Sequence, residues 1–359
     1  MRFSVLDLFP VLLFALFLIG ARPVKPISSL NAEYLGLETG RSVRGLLAVC
    51  IVFDHLALSV DEGVLFGAFD SLGYLIVALF FFYSGYGVQV SYMRAPEKYR
   101  KKLLLRRIPT VLFPYIVFNV IYWIANAAVG KVYSFSHIIS ELSRGNTLVF
   151  ASWFIICILA FYLIYWLLAV VFKNHFVLIA ASIGILCAAY TVICIACQVS
   201  NWWYVSCFAL FLGTLWASFE DKLLAVIRRF YIPLAAIFVL LLGGYYVFSG
   251  KIIAMFPGAG TELWLPAINA VIFVICALLL LLKLRVGNRI MAFLGEISFE
   301  IYMTQGLFLL LFRSDLIFIE NNVLFSLVTV FGTIAVAWVI HLALSPCMKA
   351  YGKWINKKI

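Results

Sequence analysis

Apolar residues in this chain run on in long stretches separated by short polar gaps. Eleven such stretches fall near 4–21, 43–60, 71–92, 109–129, 149–172, 176–197, 202–219, 231–249, 264–283, 291–312 and 322–345. A helix that crosses the hydrocarbon needs about 20 mostly apolar residues. Strands of a membrane barrel would instead alternate polar and apolar positions. The pattern therefore predicts an all-α fold, a polytopic transmembrane helix bundle of about 10–11 spans. The shorter stretches leave room for tilted, bent or re-entrant paths.

Composition strengthens this reading. Hydrophobic residues make up 65% of the 359 and charged residues only 12%, against roughly 25% charged in a soluble domain. So few charges cannot cover a water-facing surface. We expect one membrane domain over 1–359: an extra N-terminal span and linker (1–42), a helix bundle (43–345) and a basic tail (346–359).

The net charge of +11 does not point to nucleic acid, because the Lys and Arg fall in the gaps between apolar runs. Alternate gaps are basic. They hold Arg22, Lys25, Arg41 and Arg44, the cluster Arg94–Arg107, Lys173, Lys222–Arg229, Lys283–Arg289 and Lys349–Lys358, which together are 22 of the 27 basic residues. The other gaps hold Arg2, Lys131, Arg144, Lys251 and Arg313. This bias predicts that the first set is cytoplasmic, with the N-terminus outside and the C-terminus inside. Residues 1–21 read as a retained span. A cleaved signal peptide would lack its small-residue cleavage site and would put the basic segment 22–44 outside.

The eight cysteines lie in or at the ends of apolar runs and suggest neither a disulfide framework nor a metal site. Cys194 and Cys197 have metal-like spacing but no second ligand pair. The exterior loops 130–148 and 250–263 are too short for an appended domain, and Pro and Gly in the second argue for turns.

Polar groups kept inside apolar runs are where function is sought in such a chain. The second stretch holds Arg44 at its mouth and Asp54–His55 deeper in. Arg44 and His55 are eleven residues apart, close to three helical turns, so they share one face roughly 16 Å apart along the axis. The pair reads two ways: an interfacial anchor plus a histidine satisfied by a neighbour, or a two-level site. Asp54 points about 100° away from His55 on an ideal helix. Ser84 and Gly85 sit in an aromatic run, where Gly permits close helix approach or a bend. The cluster up to Arg106 and Arg107 explains itself by topology, yet also suits anionic lipid headgroups or a phosphorylated ligand. Pro109 and Pro114 are expected to open the fourth span. Asn119, Asn126, Trp153, Glu296, Glu300, Tyr302 and Gln305 are further polar or amphipathic groups within the spans. His341 reads as a core histidine, and His137 and His175 as solvated ones.

These segments together resemble the acyltransferase 3 family of membrane O-acyltransferases. The resemblance rests on an ordered set: Arg-x10-His (Arg44 to His55), FFFYSGY (Phe80 to Tyr86), RRIPTVLFPY (Arg106 to Tyr115), SWFI, and GEISFEIY (Gly295 to Tyr302). The chain departs from it with Thr110 where members often have a further Arg, with Gln305 where they often have His, with Asp54 beside the key histidine, and with the extra first span.

The resemblance implies transfer of an acyl group, usually acetyl, from cytosolic acyl-CoA to a hydroxyl of a glycan or lipid-linked sugar, with no metal. It implies a catalytic centre at Arg44 and His55, in a bacterial cytoplasmic membrane. Arg44, Arg106 and Arg107 would hold the phosphates of CoA, and His55 would act as general base. A covalent acyl-His55 step fits the same residues. Asp54, Ser84, Tyr86, Asn119, Trp153, Glu300, Tyr302 and Gln305 are the candidates for the substrate pocket. A transporter or flippase for a lipid-linked glycan or polar solute is the competing expectation, since such proteins also keep polar groups near the midplane.

Overall fold

The computed structural model describes residues 3–26, 28–143, 147–256 and 260–358. Arg2, Arg144, and Pro257 and Gly258, from which turns are expected in the sequence, lie outside the described residues. Thirteen α-helices account for most of the described residues. They are α1 (Leu8–Leu18), α2 (Leu37–Ala57), α3 (Val64–Gly67), α4 (Gly73–Arg94), α5 (Pro96–Ala128), α6 (Phe135–Ser143) and α7 (Trp153–Phe172). They continue with α8 (Phe176–Ala196), α9 (Phe208–Met255), α10 (Thr261–Lys283), α11 (Arg289–Glu296), α12 (Ser298–Phe312) and α13 (Asn322–Lys358). Seven are long and apolar enough to cross a membrane: α4, α5, α7, α8, α9, α10 and α13. The chain is thus an all-α polytopic membrane bundle. α2 is not among the seven, because Glu38, Arg41, Arg44 and Asp54 fall within its 21 residues.

The expected stretches map onto these helices with four departures. The stretch 291–312 breaks at Ile297 (φ −98°, ψ 13°) into α11 and α12. The stretches 202–219 and 231–249 share α9, which kinks at Phe219 and Phe230 on either side of its basic segment. α13 continues through the basic tail to Lys358. α5 begins at Pro96 instead of near Pro109, so the basic cluster is helical and Pro109 and Pro114 lie inside it. Pro109 has no N–H for the carbonyl of Leu105 one turn back. The Tyr351 hydroxyl of α13 donates to that carbonyl at 2.9 Å, which repairs the lost bond and ties the tail to α5.

Two close helix approaches organise the bundle. α4 packs along α9 at Gly85 and Gly213: a Cβ at Gly85 would strike the backbone of Leu210, and one at Gly213 that of Phe82 and Tyr86. α2 packs on α11 at Gly45 and Gly295, where a Cβ would strike the backbones of Met291 and Arg41 respectively. Small residues let backbones meet in this way where lipid offers no hydrophobic drive.

The N-terminal segment is built into the bundle. Phe9 of α1 packs against Phe53 and Phe66. The Asp7 carboxylate accepts from the backbone N–H groups of Val64, Leu65 and Phe66 at 2.7–3.2 Å. Beyond α1, strand β1 (Arg22–Pro23) pairs antiparallel with β2 (Leu284–Arg285). Asn31 then donates to the carbonyl of Leu281 at 3.1 Å.

Candidate functional site

The Arg-x10-His pair lies on one helix, as its spacing predicts, because α2 runs unbroken from Leu37 to Ala57. Around Arg44 the bundle encloses a cavity of about 210 Å³ between α2, α4, α5, α7 and α12. Arg44, Tyr83, Ser84, Arg107, Phe154 and Tyr302 are among the side chains that line it. The Arg44 Nε donates to the carbonyl of Gly40 at 3.2 Å, which holds the stem and leaves the terminal nitrogens for a ligand. The Arg107 Nε donates to the Tyr99 hydroxyl at 3.2 Å, and its guanidinium lies 5.8 Å from the centre of the Tyr162 ring. Arg106 turns away to the side-chain carbonyl of Asn356 in α13. The cavity thus carries two cations on largely aromatic walls.

His55 stands deeper on the same helix and is almost buried. Phe150 packs edge-on against its ring with centroids 4.8 Å apart, and Gln305 of α12 is its polar neighbour. His55 Nδ1 and both amide atoms of Gln305 are buried without a partner in bonding geometry. Nε2 lies 3.7 Å from the Asp54 carboxylate, too far for a hydrogen bond. That carboxylate sits instead against Gly73, the first residue of α4. A carboxylate is well placed there, at the positive end of a helix.

A second cavity, of about 700 Å³, lies beyond Phe150. Tyr122, Asn126, Phe150, Trp153, Trp203 and Gly306 contribute to its lining. α5 gives Arg107 to the first cavity and Tyr122 to the second, fifteen residues or roughly 22 Å further along. Between the two stand Tyr302, whose hydroxyl donates to the carbonyl of Ala151 at 2.5 Å, and Phe154, whose ring packs on Tyr302 at 5.6 Å. Gly306 leaves room for Phe150 and Tyr122, since a Cβ there would meet the Tyr122 hydroxyl at 2.5 Å.

Of the residues singled out in the sequence, Arg44, Ser84, Arg107 and Tyr302 gather at the first cavity and Asn126 and Trp153 at the second. Gln305 and Asp54 flank His55. Four lie elsewhere. Arg106 faces α13, and the Asn119 amide bonds back to the carbonyl of Tyr115 on its own helix. Glu300 pairs with His341 Nδ1 at 2.8 Å, between α12 and α13. Tyr86 donates to Glu220 at 2.9 Å, a carboxylate that also accepts from Tyr34 at 2.7 Å. The Tyr34 hydroxyl in turn accepts from the Trp216 indole at 2.7 Å. Burial, with Glu220 alongside, pushes the Tyr34 hydroxyl well above the usual phenol range, so it stays a donor.

Sequence reasoning missed Phe150, Tyr162 and Glu220. Phe150 and Tyr162 lie in apolar runs that give no local mark of a site. Glu220 borders the gap that holds Lys222–Arg229, and nothing in the sequence marks it as a half-buried partner.

A family model described as an acyltransferase domain, that of the acyltransferase 3 family, matches residues 41–342. No curated protein and no solved structure matches the chain.

Proposed function

The chain belongs to the acyltransferase 3 family and is a membrane acyltransferase, and from that premise we propose that it moves an acetyl group from acetyl-CoA to a hydroxyl of a glycan or lipid-linked sugar, with His55 as general base. The observation that carries this reading is the pair of cavities on either side of a thin aromatic wall, with His55 beside it. One cavity holds two guanidinium groups, and these match phosphate oxygens in charge and geometry. Arg44 and Arg107 hold the phosphates of CoA there, and the pantetheine arm follows α2 toward His55. Arg106, bonded to Asn356, is not part of this grip. The basic end of the bundle is cytoplasmic, in a bacterial cytoplasmic membrane, and the C-terminus lies on that side.

The acceptor occupies the larger cavity. Phe150 swings aside and the acceptor hydroxyl reaches His55 Nδ1, the ring nitrogen that has no protein partner. As the hydroxyl oxygen bonds to the thioester carbonyl carbon, Nδ1 takes its proton. The tetrahedral intermediate collapses, the C–S bond breaks, and the CoA thiolate takes that proton from the imidazolium. The products are the acetyl ester and free CoA, and His55 is again neutral.

The test is thiol release from acetyl-CoA by the purified protein in nanodiscs, with a panel of sugar acceptors. His55→Ala is expected to lower turnover about 100-fold or more, the usual scale of general base catalysis. Arg44→Ala is expected to weaken CoA binding about tenfold or more, as loss of a charged hydrogen bond does. Full turnover by His55→Ala would refute the assignment of the base. Failure of the wild type to bind CoA, together with uptake of a polar solute, would favour transport instead.

A further inference from the structure

A third cavity, of about 230 Å³ and almost wholly apolar, opens between α7 and α8, with α4 and α9 as its floor. Leu186 lies on its lining and is 41% exposed, so the cavity opens on the outer surface of the bundle, where the membrane hydrocarbon lies. None of the residues used in the reaction above lines it.

Its neighbours decide what it can hold. α7 separates it from the arginine cavity: Phe154, Ile158 and Tyr162 face that cavity, whereas Cys157, Ala160 and Ile164 face this one. An acyl chain carried by the donor would have to cross the helix to enter. On the other side there is continuity, because Trp203 lines both this cavity and the 700 Å³ one. Trp153 packs beside Trp203 with ring centroids 6.2 Å apart. Aromatic side chains of this kind suit a boundary between an apolar and a polar compartment.

We propose that the acceptor is lipid-anchored: its apolar chain lies between α7 and α8, and its polar head passes Trp203 into the 700 Å³ cavity. This rests on the reading that the larger cavity receives the acceptor. A chain that enters from the bilayer leaves surroundings as apolar as the cavity and gains little hydrophobic energy. The cavity therefore acts by position. It fixes the chain so that the head is held near His55, and converts a search in the membrane plane into a local one.

The experiment is photolabelling of the full-length protein in nanodiscs with a dodecyl glucoside that carries a diazirine in its chain, read by mass spectrometry. Adducts are expected to concentrate on the cavity-facing positions of α7 and α8, at least fivefold over the 231–249 part of α9. Ala160→Trp, which fills the cavity, is expected to lower those adducts at least fivefold and to leave CoA binding unchanged. Leu186→Trp, at the exposed rim, serves if Ala160→Trp does not fold. Adducts spread evenly over the lipid-facing helices would overturn the proposal, as would labelling undiminished by the folded tryptophan variants. The labelling needs no turnover, so its failure is distinct from failure of the acyltransferase reading, which appears as absence of CoA binding and thiol release.

Discussion

At the scale of single residues, the polar groups inside the bundle divide into those that have found partners and those that have not. Glu300 and His341 are a satisfied pair at 2.8 Å. Removing His341 leaves a buried carboxylate short of its donor, which costs about 1–3 kcal/mol. His341→Ala is therefore expected to unfold at lower temperature in detergent and to bind CoA as the wild type does. Gln305 belongs to the other group, with both amide atoms buried and unpartnered beside His55. It is expected to position the imidazole and the incoming hydroxyl. Gln305→Ala should lower kcat about tenfold with KM for acetyl-CoA unchanged, and Gln305→His should recover part of the loss; steady-state kinetics separates the two parameters. Much of this scale was legible: the eleven-residue spacing of Arg44 and His55 survives as one face of α2. The partner of His341 was not, because a uniformly apolar span does not reveal which way each residue faces.

At the scale of elements, backbone contact between helices decides which changes are tolerated. Gly213 has no room for a side chain against α4, whereas Gly243 in the same helix has nothing within 4 Å of the place its Cβ would take. Gly213→Val should destabilise the protein by about 1–3 kcal/mol or more, as overpacking does. Gly243→Ala should be neutral or slightly stabilising through helix propensity. Thermal unfolding of the two variants under one detergent condition checks both. Apolar runs located the helices because they report where lipid lies. They do not report where backbone hydrogen bonding stops, which is why the break at Ile297, the shared run through α9 and the early start of α5 were not legible. Pro109 is instructive. Its missing N–H argues for a helix start, and only Tyr351, far along the chain, supplies the donor that lets the helix continue.

At the scale of the molecule, the proposed orientation follows from the one-sided distribution of 22 basic residues and can be tested with native cysteines. Cys197 and Cys347 are exposed, the first at the end of α8 and the second in the last third of α13. In intact spheroplasts an impermeant maleimide is expected to label Cys197 and to spare Cys347 until the membrane is opened; the reverse pattern would invert the orientation. The packing of α2 on α11 has a consequence for how the protein is made. α2 carries four charged residues and is not among the helices apolar enough to span by themselves, yet it is synthesised about 250 residues ahead of the glycine it rests on. At ordinary elongation rates that is a wait of roughly ten seconds to a minute. The helix that carries both Arg44 and His55 must spend that interval sheltered by the insertion machinery or by α1, and takes its final place only when the last third of the chain has emerged from the ribosome.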